Sequence, residues 1–550
     1  MDETLTLSAL VAGGLAFLLP AARRRLQLSR AKHPSLAGHS RIAQRVARLL
    51  PGMRYDQQRF FACDDAPAEV VARRKAGFER LCQEFRERFP RSLALTQEMR
   101  ASVSDLQFTA RYRVPYPFSP YLREHLAVGN VLRAASGVMV EDLDGNRFYD
   151  VSGSYGVNLF GVDFYKACIA EGAAAAEPLG PVLGAYHPCV AEIAARLTRL
   201  DGLDEVSFHM SGTEAVMQAV RLARYHTRRS HLVRFCGAYH GWWDDVQPGP
   251  GNPLSPRATY TLRDMDRRSL EVLRSRRDVA CVLVNPLQGL HPNAAAPADS
   301  ALVDSSRRAG FDRGAYTAWL HELREVCRER GIVFILDEVF VGFRLALGGA
   351  QEYFNLRADL VTYGKTLGGG LPVGVLCGRR ELMQRYRDER PADVCFARGT
   401  FNTHPYVAAA MLAFLRRLDW PETRALYDGL EQRWNERAES LNARFEAAGL
   451  PLRVANLSTI WTVYYTQASR YNWMLQFYLR RHGLALSWVG TGRMIFSLNY
   501  DAADFAAVAD RFITAAQAMR DDGWWYGSAA ATSNKAIRRS LLWESLREIW

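Results

Sequence analysis

The sequence predicts an α/β fold: a mostly parallel central sheet with helices on both faces, accompanied by a smaller α+β domain. From about residue 190, strand-like and helix-like segments alternate along the chain, which is typical of a parallel sheet with helical crossovers. Polar residues follow directly after several of the apolar strand segments. In such sheets the ligand lies beyond the carboxyl ends of the strands, so these polar residues are the first candidates for a binding site.

The elements are predicted in chain order from periodicity and turn residues. Residues 25–135 are arginine-rich and helical in pattern, and VMVEDLDGNRFYDV then places two short strands around an Asp-Gly turn. The later strands are EVSFHM, HLVRFC, ACVLVNP and IVFILDEV, and the intervening helices include TEAVMQAVRLARYHTRR and AWLHELREVCRERG. After about residue 410 the chain turns helical around a strand pair, TIWTVYY and RMIFSLNY.

These patterns divide the chain into six predicted parts. They are a membrane anchor at 1–24, a helical N-terminal extension at 25–135, the N-terminal part of a small domain at 136–200, a large ligand-binding domain at 201–405, the C-terminal part of the small domain at 406–525, and an amphipathic tail at 526–550. One helical face of the tail carries Ile537, Leu541, Leu542, Leu546 and Ile549. That face predicts either docking on the protein body or contact with a lipid surface.

The formal net charge of +12 is concentrated at the N-terminus. Residues 1–50 contain eight Lys and Arg against Asp2 and Glu3, so their net charge is 8 − 2 = +6. The rest of the chain has no ladder of basic residues interleaved with aromatics, so nucleic acid is not a predicted partner. The nine cysteines are scattered, without a Cys-x-x-Cys pair or metal-like spacing, which predicts reduced thiols in the cytoplasm and no metal site.

An uncharged, mostly apolar run extends from Thr4 to Ala22 and is about long enough to cross a bilayer as a helix. The chain begins Met-Asp-Glu, whereas a signal peptide has a basic start. Basic residues follow the run instead, which by the positive-inside rule predicts a single-pass anchor with the remaining chain at the cytoplasmic face of the membrane. The alternative is a buried or amphipathic helix, which Gly13, Gly14 and Pro20 favour.

Lysine is rare in this sequence, with only five copies, and Lys365 differs from the others. It lies in LVTYGKTLGGGLPVG, after an apolar strand and before three glycines. A lysine that forms a Schiff base must be partly desolvated so that a fraction is neutral, and neighbouring glycines allow the backbone to approach a bulky ligand. The alternative is an anion-binding loop; the spacing of a Walker motif is absent.

Asp337 ends the apolar strand IVFILDEV. A carboxylate at the end of a buried strand is costly unless it meets a partner. Opposite a pyridinium N–H it makes a charge-assisted hydrogen bond and keeps that nitrogen protonated. A metal-binding Asp-Glu pair and a strand-end cap are the alternatives.

Two weaker motifs follow earlier strands. Ser211, Gly212 and Thr213 open a long helix, whose N-terminal N–H groups suit a phosphate, although Ser and Thr also cap helices for stability alone. Tyr239 follows the strand HLVRF in a Tyr-His-Gly sequence, where its ring could lie flat on a cofactor.

Taken together, these motifs resemble the class III (fold-type I) pyridoxal-phosphate aminotransferases, in particular the glutamate-1-semialdehyde 2,1-aminomutase branch. The resemblance covers about residues 110–525 and rests on MSGTEAVMQAVRLAR, GAYHGWWDD, LDEVFVGFR, TYGKTLGGGLPVG and RGTFNTHP. It implies the fold of fold-type I pyridoxal-phosphate-dependent transferases, with pyridoxal 5'-phosphate bound in the large domain at 201–405. It also implies a homodimer with shared active sites.

The resemblance implies a role for each matching residue. Lys365 is the Schiff-base lysine and the base that moves the substrate α-proton, and Asp337 pairs with the pyridine nitrogen. Val339 and Tyr239 cover the two ring faces. The phosphate is bound by Gly212 and Thr213, with Ser211 beside them, and by Thr400 of the neighbouring subunit. For the substrate pocket, the resemblance points to Tyr155 and Arg344; an exposed, salt-bridged arginine is the alternative for Arg344.

The predicted reaction moves an amino group from an amine or amino-acid donor to an aldehyde or ketone acceptor. The sequence departs from the family pattern at Asn285-Pro286, where Glu-Pro is frequent, in SYGVNLFGVDFYKAC, and in the extension over residues 1–110. These departures, with the predicted anchor, favour a less standard acceptor, such as a fatty or polyketide-derived carbonyl compound. The alternatives are intramolecular transfer of the glutamate-1-semialdehyde aminomutase type and a catalytically inactive scaffold at the membrane.

Overall fold

The computed structural model describes residues 19–34, 38–112, 114–247, 249, 251–254, 258–290, 308–486, 492–527 and 533–547. Most of the predicted anchor, Thr4 to Ala22, therefore lies outside the described residues. Among the helices that the structure does describe, none combines the length and the apolar character needed to span a membrane.

The N-terminal extension is built from helices. They are α1 (19–31), α2 (Ser40–Leu49), α3 (Gln57–Ala62), α4 (Ala68–Arg88), α5 (Pro90–Arg100), α6 (Ser104–Tyr112) and α7 (Ser119–His125). Aromatic rings join this extension to the rest of the protein: the rings of Phe60 and Phe118 pack on each other and on Trp473. The extension is therefore part of the folded body.

A small sheet follows. Its elements are β1 (Leu132–Ser136), β2 (Met139–Asp142) and β3 (Arg147–Asp150), followed by helices α8 (Val162–Ala176) and α9 (Cys189–Asp201). Strands β2 and β3 pair antiparallel, and Gly145 between them has φ +87°, a conformation that glycine adopts without steric cost. The predicted hairpin around the Asp-Gly turn is confirmed.

The central sheet has seven strands. Its elements in chain order are β4 (Glu205–His209), α10 (Gly212–Thr227), β5 (His231–Phe235), β6 (Thr259–Leu262), α11 (Arg267–Ser275), β7 (Val279–Val284), α12 (Arg313–Arg330), β8 (Val333–Asp337), α13 (Gly349–Tyr353), β9 (Leu360–Gly364) and β10 (Gly374–Gly378). The strand order is β4-β10-β9-β8-β7-β5-β6. Only β10 runs antiparallel to its neighbours, so the predicted mostly parallel sheet is confirmed.

The remaining elements are mainly helical. They are α14 (Arg380–Met383), α15 (Pro405–Arg417), α16 (Pro421–Ala425), α17 (Leu430–Ala447), β11 (Leu452–Leu457), β12 (Ile460–Tyr465), α18 (Leu475–Arg481), β13 (Leu484–Ala485), β14 (Arg493–Ile495), α19 (Ala502–Asp521) and α20 (Asn534–Arg547). Strands β12 and β14 pair as predicted, and the structure shows that they run antiparallel. Strand β13 adds to the small sheet beside β3.

The C-terminal helix α20 docks on the body, the first of the two alternatives for the tail. Glu544 accepts hydrogen bonds from Arg470 at 2.8 Å and Arg59 at 2.6 Å, and it also contacts the hydroxyl of Tyr55. Of the predicted apolar face, Ile537 is buried and Leu541 packs on the core, whereas Leu542 and Leu546 are exposed. The docking joins the tail to both the N-terminal extension and the C-terminal region.

Candidate active site

The carboxyl ends of four strands bring the predicted residues to one edge of the central sheet. Asp337 ends β8, Lys365 directly follows β9, Ser211 lies two residues after β4, and Tyr239 lies four residues after β5. These four strands share one direction, so their carboxyl ends face the same side. The topology thus brings to one edge of the sheet residues that are spread over 155 positions of the sequence, from Ser211 to Lys365.

Asp337 is buried and held by three neighbours. Its Oδ2 lies 2.7 Å from Nδ1 of His240, and its Oδ1 accepts hydrogen bonds from the Thr362 hydroxyl at 3.2 Å and from the backbone N–H of Val339 at 3.1 Å. These three contacts fix the orientation of the carboxylate. The carboxyl group that the sequence places at the end of a buried strand is therefore buried with polar partners, as its burial requires.

The neighbouring carboxylate does not form a metal-binding pair with Asp337. The side chain of Glu338 accepts hydrogen bonds from the backbone N–H groups of Ala350 at 2.6 Å and Gln351 at 3.2 Å. Burial raises the pKa of Glu338 to about 8. In the described ranges, no cluster of three or more His, Cys, Asp or Glu side chains is arranged to hold a metal ion.

Lys365 lies at a strained position with a lowered pKa. Its φ is +46°, in the left-handed region that non-glycine residues rarely adopt, and such strain is often found at functional sites. Burial lowers the pKa of the amine to about 8, and the cations Arg344 and Arg493 add to this effect, while the charge of Asp337 opposes it. The Nζ atom lies 4.7 Å from the centroid of the Phe340 ring. A large fraction of the amine is therefore neutral near pH 8, as a nucleophile requires.

The start of helix α10 forms a narrow cradle. Ser211 is the N-cap residue, and its Oγ accepts a hydrogen bond from the backbone N–H of Glu214 at 3.2 Å. A Cβ on Gly212 would lie 2.5 Å from Cγ1 of Val339, so a side chain there would displace the residue predicted to cover the ring. Gly241 has φ +92°, and a Cβ on it would lie 2.5 Å from Oγ1 of Thr213. Gly212 thus allows Val339 to pack on the start of the helix, and Gly241 allows its loop to pack on Thr213.

Tyr239 stands at the opening of the site. Its side chain is 57% exposed, and its backbone oxygen accepts a hydrogen bond from Nδ2 of Asn285 at 3.2 Å. Partial burial, with the charge of Asp337, raises the pKa of its hydroxyl. Asn285, where the sequence departs from the family pattern, thus supports the backbone of the predicted ring-stacking residue.

Arg344 is fully enclosed by the protein. Its Nη1 donates to Thr459 Oγ1 at 2.8 Å and to the backbone oxygen of Phe496 at 2.7 Å. Its Nη2 donates to the backbone oxygens of Gly156 at 3.3 Å and Asn158 at 3.4 Å. Burial lowers the pKa of the guanidinium to about 10. The alternative of an exposed, salt-bridged arginine is wrong, because Arg344 is 1% exposed and bonds the backbone oxygens of Gly156, Asn158 and Phe496.

Tyr155 and Thr400 occupy different surroundings. Tyr155 lies in a short 3-10 helix, Gly153–Gly156, has φ +57° and is partly exposed. A Cβ on neighbouring Gly156 would lie 3.4 Å from Cδ of Lys365, so this segment borders the lysine. Thr400 lies on an exposed stretch between α14 and α15. The structure therefore places the segment of Tyr155 beside Lys365, whereas Thr400 is exposed in the single chain.

Two residues of the site were not predicted as functional. His240 holds Asp337, and its Nε2 is buried without a hydrogen-bond partner in the described structure. Phe340 lies against the lysine amine. Both lie within the motifs that carry the resemblance, GAYHGWWDD and LDEVFVGFR. Their place in these motifs is the sequence feature that could have identified them as site residues.

The residues present fit pyridoxal phosphate. One edge of the sheet carries four groups: an amine with a lowered pKa, a buried carboxylate, a helix N-terminus next to glycines, and a half-exposed aromatic ring. These are the groups that an aldehyde, a pyridine nitrogen, a phosphate and a ring face require.

The family model for class III aminotransferases matches residues 122–245 and 300–515. A glutamate-1-semialdehyde 2,1-aminomutase of Geotalea daltonii is 32% identical over 391 residues, which is 67% of this chain and 85% of that protein. Another from Nitratidesulfovibrio vulgaris is 34% identical over 387 residues, 66% of this chain and 84% of that protein. Both similarities span most of the relatives' length.

Solved structures agree with the predicted fold. A transaminase with pyridoxal phosphate bound has a TM-score of 0.59 at 28% identity and covers 75% of this chain and 93% of its own. A glutamate-1-semialdehyde aminomutase from Pseudomonas aeruginosa has a TM-score of 0.66 at 20% identity, with 82% and 99% covered, and shows the fold. Every relative named here is an enzyme, so the alternative of an inactive scaffold has no support. The chain belongs to the class III aminotransferase family and is a pyridoxal-phosphate-dependent enzyme with the fold of fold-type I transferases.

Proposed function

We propose that the enzyme transfers an amino group from an amine or amino-acid donor to a separate aldehyde or ketone acceptor, with Lys365 and Asp337 as its catalytic residues. The observation that carries this proposal is the lowered pKa of Lys365 at the sheet edge where Asp337 is buried and held by His240. An amine that is partly neutral and a fixed carboxylate suit proton transfer at a substrate carbon activated by an electron-withdrawing ring.

The cofactor supplies an aldehyde that captures the amino group and a ring that withdraws electrons from the substrate Cα. Asp337 would keep the ring nitrogen protonated, and His240 and Thr362 orient its carboxylate. The amine of Lys365 would hold the cofactor in the resting enzyme, and once free it would take the proton from the substrate Cα and return it one carbon away. General acid–base help of this kind contributes about 10²–10⁴-fold to the rate.

Binding roles follow from position. Ser211, Gly212 and Thr213 are proposed to hold the phosphate at the N-terminus of α10, where N–H groups and the helix dipole favour an anion. Val339 and Tyr239 are proposed to pack on the two faces of the ring. Tyr155 and Arg344 are proposed to border the substrate, because both lie near Lys365. Gly156, next to Tyr155, borders the lysine side chain, and the charge of Arg344 lowers the pKa of the lysine amine.

A homodimer with shared active sites is also part of the proposal. Thr400 is exposed in the single chain, and the apolar side chains around it are exposed as well: Val394, Phe396 and Phe401. Large exposed apolar side chains that cluster in this way mark protein–protein contacts. Thr400 would then reach the phosphate in the partner subunit.

Attachment to the cytoplasmic face of a membrane through Thr4–Ala22 remains a proposal, supported by the length of that apolar run and the basic residues after it. We also propose that the chain is divided into the six parts that its sequence patterns predict. An apolar carbonyl acceptor would suit a site at a membrane, and the Phe340 ring beside the lysine amine supports an apolar acceptor.

Intramolecular transfer of the glutamate-1-semialdehyde aminomutase type is the second candidate. The relatives at 32–34% identity carry that name, and the mutase reaction uses the same lysine and carboxylate. The two candidates differ in whether the amino group leaves with one molecule and arrives on another.

The experiment has two arms. Borohydride reduction of the holoenzyme should fix a pyridoxyl label on the peptide that contains Lys365, and Lys365→Ala should abolish it; label elsewhere would contradict the proposed lysine. The second arm assays straight-chain aldehydes of increasing length with several amine donors, beside glutamate 1-semialdehyde alone. Turnover of the aldehydes supports intermolecular transfer, whereas turnover of glutamate 1-semialdehyde alone supports the mutase.

A further inference from the structure

Helix α1 presents an exposed face that is both basic and apolar. Leu19, Arg23, Leu26 and Arg30 follow each other at intervals of four, three and four residues, which places them on one face of a helix. All four side chains are exposed, and Leu19 and Leu26 are more than half exposed.

Helix α2 presents a face of the same kind. Its members are Arg41, Ile42, Arg45, Arg48 and Leu49, which are all exposed. At about 100° per residue they occupy about a third of the helix circumference. Leu49 is 76% exposed, among the highest values for a large apolar side chain in the described chain. We call the four residues of α1 and these five residues of α2 the basic–apolar surface.

Other contacts tie both helices to the chain on either side of β6 and leave this surface exposed. The backbone oxygen of Ala31 accepts a hydrogen bond from the Arg263 N–H at 2.9 Å. Gln44 donates from Nε2 to the backbone oxygen of Asn252 at 2.6 Å, and Ala43 is buried. The surface is therefore held on a fixed scaffold at the side of the central sheet where β6 forms the edge.

The positive charge of this region is not balanced by acidic residues nearby in the sequence. Between Glu3 and Asp56 the chain contains no Asp or Glu. Moving exposed leucine and isoleucine side chains out of water lowers the free energy, and arginines attract anions. A surface that does both at once recognises an anionic layer above an apolar one, which is the chemistry of an anionic lipid bilayer.

We propose that the basic–apolar surface binds the anionic lipid surface of a membrane, with its arginines at the headgroups and its leucine and isoleucine side chains at the acyl boundary. This binding is a function separate from amino transfer, and it does not require the apolar run Thr4–Ala22 to cross the bilayer. Helices α1 and α2 would lie in the plane of the interface.

Nucleic acid is the other polyanion that such a charge would attract, and the composition argues against it. Between Phe17 and Tyr55 the chain contains no Phe, Trp or Tyr, whereas binding of single strands uses aromatic side chains on which bases stack. Exposed aliphatic side chains such as Leu26 and Leu49 contribute nothing to phosphate contacts.

The test is co-sedimentation of the full-length holoenzyme with lipid vesicles. One set is phosphatidylcholine alone, and in the other about a third of the lipid is phosphatidylserine. The surface variant carries R23Q, R30Q, R41Q, R45Q and R48Q. The matched control removes the same charge from exposed arginines elsewhere and carries R73Q, R86Q, R147Q, R199Q and R390Q.

The wild type and the control should bind the phosphatidylserine vesicles more tightly than phosphatidylcholine vesicles, and added salt should weaken this binding. The surface variant should bind them at least about tenfold more weakly, since each basic side chain near an anionic surface contributes measurably, while its amino-transfer activity stays unchanged. The proposal is overturned if the variant binds as the wild type does, if binding is equal on both lipids and insensitive to salt, or if a short single-stranded RNA binds more tightly than the vesicles.

Discussion

The Nδ1 atom of His240 lies 2.7 Å from Oδ2 of Asp337, and both side chains are buried. The distance is that of a hydrogen bond, and Nδ1 is the imidazole atom that meets the carboxylate. The imidazole thereby orients the carboxylate that is proposed to face the ring nitrogen, and it acts through Asp337 as a positioning residue.

His240→Phe should lower kcat by about tenfold or more, because a hydrogen bond to a charged group is worth about 1.5–3 kcal/mol. His240→Asn, which can still donate from its amide, should recover part of that loss. The pH dependence of the bound cofactor's absorption should also shift in His240→Phe, since the ring nitrogen loses protonation more easily. A purely structural role would lower the melting temperature and leave that pH dependence unchanged.

The rate at which the cofactor-free protein captures pyridoxal phosphate should rise with pH and level off above about pH 8. Only the neutral amine of Lys365 attacks an aldehyde, and burial lowers its pKa to about 8. Below that pH the amine is mostly protonated and the rate falls about tenfold per pH unit. Stopped-flow absorbance over a pH series measures the rate of cofactor capture. A midpoint near 10.5, the ordinary lysine value, would contradict the burial argument.

Gly212→Ala should weaken cofactor binding at least about tenfold. The added Cβ would lie 2.5 Å from Cγ1 of Val339, so the ring contact and the phosphate cradle must both move. Equilibrium titration with pyridoxal phosphate checks this. Gly52→Ala is the matched control, because a Cβ at Gly52 meets nothing within 4 Å, and it should bind the cofactor as the wild type does.

Arg344→Met should destabilise the protein by about 2–5 kcal/mol, because it leaves buried carbonyl oxygens and the Thr459 hydroxyl without donors. The loss should appear as a lower melting temperature. Arg73→Met, at an exposed position on α4, should change it little. If Arg344→Met kept its melting temperature and raised only the KM for substrate, the arginine would contact substrate directly.

Glu544→Ala should release the C-terminal helix α20. It leaves the buried guanidinium of Arg470 without its carboxylate, at a cost of about 3–5 kcal/mol. Trypsin should then cut at Lys535 and Arg539 at least about tenfold faster. Arg539→Ala, on the exposed side of the same helix, should leave cleavage elsewhere in α20 slow.

The same contact makes the docking of α20 insensitive to pH near neutrality. Burial alone would raise the pKa of Glu544, but the hydrogen bond and charge of Arg470 outweigh it and hold the pKa at about 2. The stabilisation is complete above the ordinary carboxyl pKa of 4.5 and is lost as the pH falls toward 2. Cleavage of α20 that changed between pH 6 and 8 would contradict this account.

The sequence by itself determined the order and type of the main elements and the two central residues. Apolar strands such as β8 and their alternation with helices are local patterns, and Lys365 and Asp337 stand out because each follows or ends such a strand. Motif order then identified the family, because several short patterns had to agree at once.

Only the tertiary structure decided which side chains meet. His240 and Asp337 are 97 positions apart, and Arg344 and Thr459 are 115 apart. No local periodicity encodes these contacts, since they arise when parallel strands align their ends and when distant segments pack around Arg344 in the loop after β8. The burial of Arg344, the place of Phe340 beside the lysine and the docking of the tail followed from that packing, because the partners of a side chain depend on how distant segments fold together.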